Sequence, residues 1–189
     1  KMSDSYNFDA IVIGAGIVGL SITHKLCKHF DNILLIEKEK TFGSHVSSRN
    51  SEVIHSGIYY PEDSLKAKLC VRGNYLMYDF ANKYDINYKH CGKIVVTSEN
   101  EDSEQLHSLF ENGIQNGVEG LELISGNEIS RREPLIKAME GLSVPSTGII
   151  DSHGFMHKLE YLIQSSESAV IYNTEVTWIS HENDSYTLT

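Results

Sequence analysis

Residues 8–13 are a short apolar run rich in β-branched side chains, and Gly14-Ala15-Gly16-Ile17-Val18-Gly19 follows at once. Such a run predicts a strand buried on both faces, leaving through a tight turn into a helix. Residues 20–30 continue in helical fashion, with Ile17 and Leu20 turned inward, and residues 32–36 form a second apolar strand ended by Glu37-Lys38-Glu39-Lys40. The pattern is a β-α-β unit with a right-handed crossover. Its glycines have separable tasks: Gly14 permits the turn, Gly16 keeps the backbone open to a pyrophosphate, and Gly19 lets the helix approach the sheet. A diphosphate over Gly14, Ala15, Gly16 and Ile17 would meet unpaired N–H groups and the positive end of the helix dipole. Glu37, with Lys38 beside it, stands 18 residues beyond Gly19. That is near the spacing of a carboxylate that accepts from both ribose hydroxyls and repels a 2′-phosphate. The bland alternative is a glycine-rich turn in an unrelated α/β protein, which would need strand, helix and acid to coincide by chance.

The rest of the 189 residues must be reconciled with that opening. A net charge of −10 argues against nucleic acid as a partner, because backbone binding needs clustered Lys and Arg. Three cysteines, at 27, 70 and 91, contain no Cys-x-x-Cys pair, which points to a reducing cytosol and away from a disulfide framework or cysteine zinc site. The longest apolar stretch, residues 10–22, holds three glycines and is too short to span a bilayer. Asp4 and Asp9 spoil the basic start of a signal peptide, so no export or anchoring signal is expected.

Residues 41–57 read as a polar loop. Pro61 with Asp63 or Ser64 as N-cap opens a helix to about residue 84, with Leu65, Leu69, Leu76 and Phe80 as its buried stripe and Lys66, Lys68 and Arg72 off it. Strands are expected at 93–97, 121–124, 142–145, 147–151, 169–172, 175–180 and 185–189, the last two joined by a turn at 182–184. Helices are expected at 101–116, 126–133 and 152–165. The acidic run 99–104 reads as the solvated start of its helix. His153 and His157 stand one turn apart but lack the acid of an H-E-x-x-H motif and a third ligand, so no metal is expected.

The opening motif suits either FAD or NAD, since both carry ADP. Ser47-Ser48-Arg49-Asn50-Ser51 offers hydroxyls, an amide and backbone N–H groups for a second pass over a diphosphate, which favours FAD.

From there the chain resembles a known family. Ser48-Arg49-Asn50-Ser51-Glu52-Val53-Ile54-His55-Ser56-Gly57-Ile58-Tyr59-Tyr60-Pro61 and Ser64-Leu65-Lys66-Ala67-Lys68-Leu69-Cys70 closely resemble the L-2-hydroxyglutarate dehydrogenase/oxidase family of D-amino-acid-oxidase-like flavoproteins. Segments beginning at Cys91, Asn116, Arg132 and Pro145 continue the match in order. The resemblance implies an α/β fold, a Rossmann-type FAD-binding domain interleaved with part of a β-rich substrate domain. Residues 1–84 and 151–189 would be the flavin parts and 85–150 the substrate part. It implies that Asn50 and Ser51 line the flavin side, that His55 to Gly57 run beside the isoalloxazine ring, and that the strand carrying Val176 meets the adenine, with Ser48 and Arg49 also expected to bind the cofactor. It also implies that family members continue well past this chain's last residue, so the C-terminal half would be missing here.

The implied reaction is hydride transfer from C2 of L-2-hydroxyglutarate to flavin, giving 2-oxoglutarate, with a membrane quinone or oxygen as electron acceptor. The setting would be cytoplasmic or at the periphery of the inner membrane. Histidine titrates in the range a base needs, so His55 is the candidate base or substrate-orienting group, against the alternative that it only hydrogen-bonds a buried loop. A dicarboxylate needs cations, for which Arg49, Lys66 and Arg72 are candidates, with Tyr59 and Tyr60 as hydroxyl donors. Solvated lysines and arginines, and core tyrosines, are the competing readings. The rival functions are a truncated, non-catalytic or partner-dependent flavin-binding fragment and, within the class, a glycerol-3-phosphate dehydrogenase or amino-acid oxidase.

Overall fold

The computed structural model describes residues 5–97 and 103–189. In chain order its elements are β1 (Ala10–Ile13), α1 (Ile17–Leu26), β2 (Ile33–Ile36), a 3-10 turn (Val46–Ser48), β3 (Val53–Ile54), α2 (Leu65–Tyr84), β4 (Tyr88–Lys89), β5 (Lys93–Thr97), α3 (Ser103–Gln115), β6 (Glu122–Ser125), α4 (Gly126–Arg132), β7 (Glu140–Val144), β8 (Gly148–Ile150), α5 (Ser152–Gln164), β9 (Ala169–Ile171), β10 (Ile179–Glu182) and β11 (Ser185–Leu188). The expected start of the third helix at 101 and the acidic residues 99–102 lie outside the described residues. Residues 1–51 with 152–189 cluster as one unit, and 52–151 as another. The helix expected to close the first flavin segment, α2, therefore packs within the middle unit.

The first unit is built on a parallel sheet in the order β1-β2-β9. Ala10 pairs with Ile33 and Ile13 with Ile36, while Leu34 pairs with Ala169 and Ile36 with Ile171. β2 lies between two neighbours, and all four of its side chains are buried, as its unbroken apolar run demands. β1 departs from the expected double burial: it is the margin of this sheet, its first three residues are half-buried and Ile13 is 52% exposed. α1 packs against α5, which brings in Phe155, Met156, Leu159 and Ile163 from one helical face. β10 and β11 form an antiparallel hairpin whose turn residues Asn183 and Asp184 both have positive φ, 50° and 59°. Asn and Asp tolerate that backbone, and such turns match the twist of the strands they join. The strand expected from residue 175 begins only at Ile179, although Trp178 and Thr189 still exchange backbone hydrogen bonds, at 3.1 and 3.0 Å, just outside the hairpin ladder.

The middle unit holds two antiparallel sheets, ordered β3-β8-β4 and β5-β7-β6. The two-residue strands β3 and β4 are too short to leave a periodic signal, and the sequence reading missed them. Ile58, Leu106, Val118, Leu142 and Val144 form the core here, with Val71, Leu109 and Phe110 packed against it.

α2 begins where Ser64 Oγ accepts from Ala67 N at 3.1 Å and ends at Asp85 in the left-handed region, φ 56°. Its buried face is not the expected leucine stripe: Leu65, Leu69 and Leu76 are each more than half exposed. Ala67, Asn74 and Ala81 turn inward instead. The reason is steric and polar. The helix lies so close to the 55–58 backbone that a Cβ on Gly57 would come within 2.8 Å of Val71, and Asn74 bonds two carbonyls that a leucine could not satisfy.

Candidate functional site

The turn between β1 and α1 is shaped as its glycines require. Gly14 has φ +100° and donates its N–H to Ile36 O at 2.7 Å, so the turn is tied to the end of β2. A Cβ on Gly19 would fall 1.9 Å from Gly14 O, closer than any carbon can sit. Helix and turn are in contact there through bare backbone.

Gly16 caps α1 in extended geometry without a side-chain hydrogen bond, and no acidic residue occupies the first turn. Ile17 N donates to Ser47 Oγ at 3.0 Å. Val18 and Gly19, also in that first turn, have N–H groups with no acceptor within the helix, so the helix end keeps donors and a positive dipole for an anion.

Glu37 is 8% exposed, and its carboxylate is already engaged: Oε2 accepts from Ala15 N at 2.6 Å and Oε1 from Glu39 N at 2.9 Å. A carboxylate has about four acceptor positions, so two remain for a pair of ribose hydroxyls. Glu37 thus fixes the glycine turn as well as offering a ribose site, a double duty that spacing alone does not reveal.

Gly14, Gly16, Glu37, Lys38, Ser47 and Val176 share the lining of one groove of about 400 Å³ at the C-terminal ends of β1 and β2. Six residues expected or able to touch a dinucleotide are therefore brought together, although Val176 arrives on an irregular stretch and not on a strand. Ser48, Arg49, Asn50 and Ser51 lie outside that lining and are exposed. They shape it indirectly: Asn50 Nδ2 donates to Ser47 O at 2.8 Å, and Arg49 N to Val46 O at 3.0 Å. Ser47, expected only as one of the loop's hydroxyls for a second pass over a diphosphate, is the residue of that loop that reaches the helix.

The candidate base stands in the middle unit, on a segment pinned by asparagines. Asn74 Nδ2 donates to His55 O at 3.0 Å and to Ser146 O at 2.8 Å. Asn112 Nδ2 donates to Ile58 O and Tyr60 O, and Asn116 Nδ2 to Gly57 O and Tyr60 O, all between 2.7 and 3.0 Å. Every one of these donors answers a carbonyl in an irregular segment that has no ladder of its own. None was given this role from sequence, since an asparagine gives no sign there of which way it points.

His55 is exposed by area, yet partial withdrawal of its ring from water lowers its pKa below the ordinary value, with Lys93 and then Lys66 adding to the shift. It is therefore held toward the neutral, proton-accepting form. Cys70 Sγ lies 3.6 Å from His55 O; burial raises that thiol's pKa more than the same two lysines lower it. Lys66 Nζ rests over the Tyr60 ring at 4.4 Å and Lys93 Nζ over Tyr59 at 4.3 Å. Tyr59 is 55% exposed, which rules out the core-aromatic reading for it. Arg72 is exposed and does not figure among the charges acting on His55. His153 and His157 lean on Phe42, with ring centroids at 5.1 and 6.3 Å.

A parallel β-α-β unit whose glycine turn and strand-end carboxylate open onto one groove defines a Rossmann-type dinucleotide-binding protein. Residues 9–189 match the model of the DAO family, FAD dependent oxidoreductase, and the chain belongs to that family. L-2-hydroxyglutarate dehydrogenase, mitochondrial, of Bos taurus is 40% identical over 187 residues, 98% of this chain and 40% of that protein. The L-2-hydroxyglutarate dehydrogenase of Escherichia coli (strain K12) is 35% identical over 179 residues, 93% of this chain and 42% of that protein. The chain thus spans about two-fifths of the length of these curated relatives. Among solved structures, the dithionite-reduced L-alpha-glycerophosphate oxidase from Mycoplasma pneumoniae with FAD bound matches with a TM-score of 0.91 at 26% identity, over 97% of this chain and 50% of that one. Glycine oxidase from Geobacillus kaustophilus, at 21% identity and a TM-score of 0.85 over 97% of this chain and 51% of that one, shares the fold.

Proposed function

We propose that this chain is the N-terminal portion of an FAD-dependent L-2-hydroxyglutarate dehydrogenase or oxidase, and that its groove holds the ADP half of the flavin. The observation that carries the reading is the groove itself, where the open turn at Gly14 to Gly19, the free acceptor positions of Glu37, and Val176 converge. The diphosphate lies against the first turn of α1, with Ala15 and Ile17 flanking it. The ribose bonds Glu37, Lys38 borders it, and the adenine lies toward Val176. Ser48, Arg49, Asn50, Ser51 and Gly57 serve the flavin end. The flavin part is then residues 1–51 with 152–189, since the groove lies wholly there, and 52–151 is the substrate part.

Bound flavin supplies the acceptor for a hydride leaving C2 of the 2-hydroxy acid. His55 takes the hydroxyl proton, for which a neutral imidazole is required. Tyr59, Tyr60 and Lys66 orient the substrate, and Arg72 is the weakest of the four, since it does not figure among the charges that shift His55. The final electron acceptor would be a quinone or oxygen. No helix among the described residues is long and apolar enough to cross a membrane, and we place the enzyme in the cytoplasm, meeting any membrane quinone from the surface of the inner membrane. Identities of 35–40% to L-2-hydroxyglutarate dehydrogenases, against 26% to the glycerophosphate oxidase, favour the hydroxy acid over glycerol 3-phosphate.

The test has two arms. Titration of FAD and ADP into the chain should show saturable binding that Glu37→Ala weakens; no binding of either rejects the groove. Anaerobic L-2-hydroxyglutarate should bleach the flavin of protein that carries the C-terminal portion present in the relatives; loaded protein that stays yellow rejects the substrate. A second reading, a flavin-binding portion that is non-catalytic or needs a partner chain, is favoured by the two-fifths coverage. Flavin binding without turnover unless a C-terminal chain is added would select it.

A further inference from the structure

Lys93 was not among the sequence candidates, and the structure sets it beside one that was. Lys66, in the first turn of α2, and Lys93, at the start of β5, each lay the ammonium on a tyrosine ring, and the two tyrosines are neighbours, Tyr60 and Tyr59. The segment carrying them cannot easily yield, because Asn112 and Asn116 hold the carbonyls of residues 57, 58 and 60. The adjacency of Tyr59 and Tyr60 brings both ammoniums to one segment, and both act to lower the pKa of the same imidazole, His55, and of the same thiol, Cys70.

The chain carries 26 acidic residues against 16 Lys and Arg, and three of its cations have ion pairs: Lys68 bonds Asp63 at 2.9 Å, and Arg131 and Arg132 bond Glu128. Neither Lys66 nor Lys93 has a carboxylate within ion-pair distance among the described residues. Cys70 supplies no counter-charge, since its thiol is held in the neutral form. Two like charges drawn together beside a histidine, in a protein with acid to spare, form a seat for an external dianion. A solvated helix face does not explain Lys93, which is half-buried on a strand.

We infer that Lys66 and Lys93 form a two-point cationic seat for a dicarboxylate, with the tyrosine faces of residues 59 and 60 fixing the two ammoniums and His55 alongside. The inference rests on the proposed function for the identity of the dianion but not for its binding. It makes the seat, and not Arg72, the determinant that separates a dicarboxylic from a monocarboxylic 2-hydroxy acid.

The experiment uses the full chain without flavin and two probes that cannot react, glutarate and butyrate, followed by NMR titration of the His55 imidazole and backbone amides. Glutarate should saturate with shifts confined to residues 55–60, 66 and 93, and butyrate should bind at least about tenfold more weakly. Lys66→Met and Lys93→Met should each weaken glutarate about tenfold, Lys93→Arg should restore most of it, and Lys68→Met, whose lysine is already paired, should leave it unchanged. Equal affinity for glutarate and butyrate overturns the proposal. So does glutarate affinity unmoved by both methionine variants, or lowered equally by Lys68→Met, which would report only net charge. Because no flavin is present, failure here leaves the ADP groove standing, and failure of FAD binding leaves this seat standing.

Discussion

Replacing Gly19 by alanine tests whether bare backbone contact at the turn holds the first unit together. Alanine ordinarily strengthens a helix interior by about 0.5–1 kcal/mol over glycine, so propensity alone predicts a more stable protein. The structure predicts the opposite. The new Cβ would lie 1.9 Å from Gly14 O and 3.1 Å from its carbonyl carbon. Favourable carbon contacts fall near 3.5–4.0 Å, so α1 must retreat by more than about 1 Å. The obstacle is backbone, which cannot swing aside as a flexible side chain would. Overpacking costs about 1–3 kcal/mol, and with unyielding backbone as the obstacle the upper part of that range, about 2–3 kcal/mol, applies, leaving a net loss of about 1–2 kcal/mol after a propensity gain of about 1 kcal/mol. At about 2–4 °C per kcal/mol for a chain of this size, calorimetry should show the melting temperature falling by about 2–8 °C, with ADP affinity falling as the helix end withdraws from the turn. Gly73→Ala is the matched control, since that helical glycine in α2 has nothing within 4 Å of its would-be Cβ. It should raise stability by about 0.5–1 kcal/mol. If both variants stabilise equally, the close approach at Gly19 is not what the glycine is for.

Three further variants, at Lys93, Glu37 and Asn74, test the site. Removing the charge at residue 93 with Lys93→Met should raise the His55 pKa toward the ordinary value near 6.5, read by NMR titration; an unmoved imidazole would mean the lysine does not reach it. Because the folded protein resists protonating His55, that residue's contribution to stability falls as pH drops below about 6.5, and Lys93→Met should lessen the fall seen in urea melts across that range. Glu37→Gln keeps an oxygen for Ala15 N but gives up an acceptor position and its charge, so ADP should bind about tenfold more weakly by calorimetry and a 2′-phosphate should be rejected less strongly. Asn74→Ala strips donors from the carbonyls of His55 and Ser146, and urea unfolding should show a loss of about 1–3 kcal/mol; stability within a few tenths of the parent would show that water replaces the amide.

What could be read from sequence was whatever depends on local order. The glycine turn, the carboxylate that ends β2, and β5 at its observed bounds all rest on near neighbours or on short periodic runs. What escaped depends on where a side chain points once the chain has closed on itself. α2 shows this most clearly: its leucines recur at helical spacing, yet alanines and Asn74 face inward because the nearby backbone leaves room only for small groups and offers carbonyls to satisfy. The same holds for Ser47, Asn112 and Asn116, whose partners lie 30 to 59 residues away. Lys93 was hidden for a different reason, since a lysine opening a strand looks like any solvated end until a second cation and a histidine are found beside it.

The pairing of β2 with β9 sets a schedule for synthesis. Leu34 must wait for Ala169, so the central strand of the first unit cannot complete its ladder until the whole middle unit has been made. At ribosomal rates of about 5–20 residues per second, that delay is on the order of 10 s. Throughout it, the four-residue apolar strand Ile33–Ile36 presents an unpaired edge in the nascent chain, a template for wrong partners. A nascent chain of this design is most vulnerable to aggregation while its middle is being translated, and that is the interval in which chaperone capture would matter most.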